Sequence, residues 1–118
     1  MLFMSLYTPA TLSSAPPSAE HMTKMIALVE RMTKAGALVA TGGIMSRNTA
    51  MKIVLKGGKH TVENGAIAGS TLMPAAGYAI LRANSREELA KNVKEFLEVA
   101  GDGTCELIQL LDGPPPTE

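Results

Sequence analysis

The chain has 118 residues, 46% of them hydrophobic and 19% charged, which fits one folded domain and excludes a disordered chain. Its 11 Lys and Arg balance 11 Asp and Glu, and it has two Phe, two Tyr and no Trp. It therefore has neither the basic excess nor the stacking aromatics of a nucleic-acid binder. Cys105 is the only cysteine, which excludes an intrachain disulfide and a multi-cysteine zinc site.

A net charge of zero gives little protection against self-association and favours an oligomer. No run approaches the ~18 apolar residues of a membrane span. The N-terminal segment has no positive n-region and its apolar run is short, so it does not read as a signal peptide. The expected setting is the cytoplasm, with no membrane partner.

Leu2 to Thr8 alternates as a pleated strand does, with Leu2, Met4 and Leu6 on one face and Phe3, Ser5 and Tyr7 on the other. Pro9 to Pro17 is a loop, because Pro16 and Pro17 cannot continue a ladder or a helix interior. Ser18 caps a helix over 19–35, whose stripe is Met22, Met25, Ile26, Val29 and Met32. Gly36 closes it in the left-handed position. Ala37 to Met45 reads as a strand, and the pair Gly42-Gly43 in it predicts a bulge or a close approach to the backbone.

Met51 to Leu55 and Lys59 to Glu63 flank Gly57-Gly58, a strong hairpin signal. Residues 64–76 form a Gly- and Ala-rich connection, and Gly77 to Ala83 is a further strand. Ser85 and Glu88 make a capping box for a second helix, with Leu89, Val93, Phe96, Leu97 and Ala100 facing inward. Thr104 to Leu111 is the last strand, and residues 113–118 are a flexible Pro-rich tail after one domain over 1–112. Two one-sided helices can cover one face of one antiparallel sheet, a ferredoxin-like α+β plan with an extra hairpin. The other face carries apolar residues such as Ile108 and Leu110, which argues for a partner subunit or a ligand.

Several segments, in this order and spacing, resemble the YCII-related (DGPF-domain) family. FMSLY is similar to its opening strand. EHMTKMIALVERMTKAGALVATGGIM resembles its helix followed by AGxLLxGEGL. MKIVLKGGKHTVENGAIAGS resembles its hairpin and DGPF loop, AAGYAILRANSREELAKNV its GGYxxxxxxSxEEA unit, and CELIQLLDG its final strand. The resemblance spans nearly the whole chain. It implies a homodimer that packs sheet on sheet into an α+β barrel, with a cleft beside each sheet. The signature loop departs from the pattern. Asn64 stands where the family has Asp, followed by Gly65, Ala66 and Ile67, and Gly69 or Ser70 stands where Glu is usual. The His–Asp pair of some members has no counterpart here.

His21 in the first turn of the first helix can act as a base, and Tyr7 and Tyr78, the only phenols, can point hydroxyls into a cleft. These three are the candidate catalytic residues. Gly42, Gly43, Met45, Asn64, Ser70 and Thr71 are the candidate ligand-binding set, with backbone donors from the glycine-rich loops and an adaptable thioether from Met45. Cys105 reads as a small buried hydrophobe. No metal or cofactor is implied. The expected function is binding of a small apolar or aromatic molecule, with cofactor-independent catalysis as its extension. The competing reading is a non-catalytic interaction or regulatory module in a bacterial transcription context.

Overall fold

The computed structural model describes residues 1–11, 18–45, 47–65 and 75–112. Among them are six strands and two helices: β1 (Leu2–Pro9), α1 (Ala19–Lys34), β2 (Leu38–Gly43), β3 (Met51–Lys56), β4 (Lys59–Asn64), β5 (Gly77–Arg82), α2 (Arg86–Ala100) and β6 (Gly103–Leu110). Four strands make one antiparallel sheet in the order β2-β5-β1-β6. Each helix links two strands that have a third between them, so two split β-α-β units interleave in the ferredoxin-like way. The hairpin β3–β4 is a separate two-stranded sheet. The tail 113–118 and most of the connection 64–76 lie outside the described residues.

Local chemistry sets the helix ends. The Ser18 hydroxyl accepts from the His21 N–H at 3.1 Å and opens α1. At its other end the Gly36 N–H bonds the Thr33 carbonyl and the Ala37 N–H bonds that of Met32, with Gly36 at φ +76°. That is a Schellman closure, and glycine takes the left-handed position without strain. Ser85 caps α2 by accepting from the Glu88 N–H at 3.1 Å. The expected reciprocal bond is displaced by one residue: the Glu88 carboxylate accepts from the Asn84 N–H at 2.9 Å rather than from Ser85.

The register assigns the faces. Phe3 pairs with Leu81 and Gln109, Ser5 with Ala79 and Leu107, and Tyr7 with Gly77 and Cys105, all on the helix side. Leu2, Met4 and Leu6 point away, beside Arg82, Ile80 and Tyr78 in β5 and Leu110, Ile108 and Glu106 in β6. The core sits at one end of the sandwich, where Phe3 is 2% exposed among Leu28, Met32, Leu38, Leu81 and Leu89.

One expectation needs correction, and another is met by the second of its two alternatives. The α1 stripe is rotated: Leu28 and Met32 are buried and Met25 and Val29 pack against them, while Met22 and Ile26 stay half exposed. The inward face is thus centred on Met25, Leu28 and Met32, one notch from the predicted line. The bulge of β2 lies between Leu38 and Ala40 rather than at the glycine pair. Gly42 instead serves a close approach, since a Cβ there would stand 2.8 Å from Cε1 of Tyr78.

Candidate functional site

The sandwich is a wedge. On the helix side, large residues at Phe3, Leu38 and Leu81 fill its closed end, and one or two pairs further along the same strands carry Ser5, Thr41, Ala79 and Gly77. These small side chains leave the helices unsupported from below, and a cleft of about 370 Å³ opens there. Met25 and Val29 of α1 and Val93 and Phe96 of α2 form its apolar walls. Thr41, Tyr7, His21, Asn92, Cys105 and Ser5 supply polar atoms at its edge and floor, and among the described residues no Asp, Glu, Lys or Arg lines it.

Tyr7 lies near the end of β1, at the open end of the wedge. Its ring meets Phe96 edge-on, with centroids 5.3 Å apart and planes at 86°. The ring also covers Gly103, where a Cβ would fall 2.7 Å from Cε1 of Tyr7 and 2.6 Å from the Thr8 carbonyl oxygen. The hydroxyl donates to the carbonyl oxygens of Gly101 at 3.3 Å and Asp102 at 3.4 Å, both long bonds. Burial pushes the Tyr7 phenol above its ordinary value, and the nearby Cys105 and Asp102 push the same way. Tyr7 is therefore a neutral hydrogen-bond donor at physiological pH. Burial likewise raises the Cys105 thiol, against the pull of a hydrogen bond with Ser5. A protonated thiol is a poor nucleophile.

His21 lies in the first turn of α1, half buried at the rim of the cleft. Gly42 and Gly43 border the cleft where β2 ends. Tyr78 borders the same opening, but its register with Leu6 and Gly42 sends its ring to the opposite face, away from Tyr7. The two phenols therefore do not converge. Met45 is 76% exposed and does not line the cleft. Asn64 ends the hairpin and also stands apart from it. Ser70 and Thr71 lie outside the described residues.

Sequence reasoning missed Asn92, Thr41 and Ser5. Asn92 falls on the inner side of α2, one residue before Val93, and a polar residue in that position was the available signal. Among the described residues, no three His, Cys, Asp or Glu stand close enough to hold a metal ion. No helix is long and apolar enough to cross a membrane.

No family model matches the chain. No curated protein matches it either. Among solved structures it is similar to 5-chloro-2-hydroxyhydroquinone dehydrochlorinase from Burkholderia phenoliruptrix AC1100, in complex with 2,5-dihydroxybenzoquinone. The identity is 13%, the match covers 96% of each chain, and the TM-score is 0.49.

Proposed function

We propose that this protein binds a small, neutral, aromatic or apolar molecule in the cleft between its helices and its sheet. The observation that carries the reading is the lining. About 370 Å³ is walled by apolar side chains, edged by a few neutral polar groups and, among the described residues, free of Asp, Glu, Lys and Arg. Such a site matches the usual composition of small-molecule pockets and lies at the small end of their volumes. A carboxylate or phosphate ligand would enter without a cation to meet it. The Tyr7 hydroxyl, held protonated and tied only by long bonds to the Gly101 and Asp102 carbonyls, can turn its one proton to a ligand's carbonyl or phenol oxygen.

The catalytic extension gives proton chemistry to His21 as base and Tyr7 as donor, because both face the same cleft. It needs no cofactor. The resemblance to the YCII-related family supports both this reading and a homodimer paired through the outer faces of the sheets. Exposed Ile108 and Tyr78 on that face support the pairing independently.

The test is a thermal-shift screen against neutral phenols and aromatic ketones, with benzoates as charged controls. A ligand present at 100 times its dissociation constant adds ~2.7 kcal/mol to stability. Ala79→Leu fills the floor of the cleft and is expected to abolish the shift while leaving the unliganded protein folded. A shift that survives Ala79→Leu, or a panel in which benzoates shift and neutral compounds do not, would overturn the assignment.

A further inference from the structure

Cross-strand partners of the β3–β4 hairpin share a face. Met51 with Asn64, Ile53 with Val62 and Leu55 with His60 make one side. Lys52 with Glu63, Val54 with Thr61 and Lys56 with Lys59 make the other. All four charges lie on the second side. On the first, Met51, Ile53, Leu55 and Val62 are each between 55% and 63% exposed. Among the described residues the strands of the hairpin pair with each other and join no other sheet. A two-stranded hairpin alone in water is marginal, and it holds when a further surface covers its apolar side.

The size of the available surfaces indicates which one. At ~4.8 Å per strand and ~3.3 Å per residue, six residues of four strands present a flat face of about 380 Å². A stable pair buries about 800 Å² of accessible surface from each partner, about twice the flat footprint of the outer sheet face. Two more strands of the same length add about 190 Å², half as much again. The radius of gyration, 16.7 Å, exceeds the about 13.5 Å of a compact chain of this length, so the fold is more extended than a compact single body.

We infer that the hairpin is a clasp whose Met51, Ile53, Leu55 and Val62 side lies on a second copy of this chain, reciprocally, so that each subunit holds the other. The inference rests on the sheet-face homodimer proposed above and adds about half of the area that face lacks. The pair is isologous, so every substitution on the clasp acts twice. The lysine side stays in water.

Sedimentation equilibrium on the full chain tests it, with wild type beside three variants. Ile53→Asp/Leu55→Asp is expected to raise the dimer Kd about 100-fold or more, with the far-ultraviolet circular dichroism unchanged. Val54→Thr, on the lysine side, is expected to leave the Kd within about threefold. An unchanged Kd in the double variant overturns the clasp and leaves the sheet-face dimer standing. Loss of the dimer in both the double variant and Ile108→Asp supports the clasp on the sheet-face pair, whereas loss in the double variant alone overturns the sheet-face pairing and the clasp that rests on it. A wild type that is monomeric at all concentrations removes both. Hydrogen exchange gives a second readout: amides of 51–64 are expected to lose protection on dilution, and protection independent of concentration overturns the clasp.

Discussion

Two tyrosine rings lie on two glycines, and the contacts differ in kind. At Gly42 the neighbour of a new Cβ is the end of the Tyr78 side chain, 40% exposed and free to swing. At Gly103 one neighbour is the Thr8 carbonyl oxygen at 2.6 Å, which belongs to the paired backbone of β1. Gly103→Ala is therefore expected to cost about 1–3 kcal/mol and Gly42→Ala less than about 1 kcal/mol, as read from urea denaturation. Equal costs would contradict the placement of either ring. The titrations make a separate prediction. Cys105 and Tyr7 titrate higher in the fold than their ordinary 9.0 and 10.0, chiefly because they are buried. Folding thus favours their protonated forms. The stability this provides is present below about pH 9 and is lost as the pH rises through the two raised values. The urea midpoint is expected to fall more between pH 8 and pH 11 in wild type than in Tyr7→Phe/Cys105→Ala; equal falls would remove the claim.

At the level of the elements, the strands and helices were legible in the sequence because their signals are local. Ser18, Gly36, Gly57-Gly58 and Ser85 each act through backbone groups a few residues away, and each acts where expected. Gly57 at φ +58° and Gly58 at φ +79° make the mirror-image turn that hairpins favour. Ser85→Ala is expected to cost ~1 kcal/mol by thermal or urea unfolding, and Glu88→Gln less, because that carboxylate holds only the Asn84 N–H. The cleft was only partly legible. Tyr7 and His21 both border it, yet its volume comes from an unfilled row across three strands, Thr41, Ala79 and Ser5, that depends on register. A one-residue slip would exchange that row for Ile80 and Met4, and a single sequence does not show the register of distant strands. The same dependence explains Tyr78: its phenol is visible in the sequence, but the side of the sheet it leaves from is not. Leu81→Ala at the closed end is expected to cost about 2–5 kcal/mol, whereas Ala79→Leu at the open end costs little because the added carbons enter a space already present.

The whole molecule is a slab 19 Å thick and 48 Å across in both other directions. One broad side is covered by the helices, and the other is the bare sheet with Ile108 at 62% exposure. The charges on that side are few. Arg82 and Asp112 neutralise each other at 2.6 Å, and Glu106 stands among apolar neighbours. An association made by such a surface gains its free energy from apolar burial rather than from ion pairs. The dimer Kd is therefore expected to change less than about threefold between about 0.05 M and 0.5 M salt, where surface ion pairs would be screened. A steep rise in Kd with salt would point to charged contacts and away from the sheet face.

The lysines of the hairpin bear on how such an assembly ends. An extended ribbon with two open edges is a template for further strands, and a chain of neutral net charge has little else to stop them. Lys56 and Lys59 face each other across the tip, with Lys52 further back on the same side. A third ribbon laid along either edge would bring its own lysines beside these, and like charges directly opposite are destabilising. The lysines at the tip thus disfavour a further ribbon, and with it fibre growth.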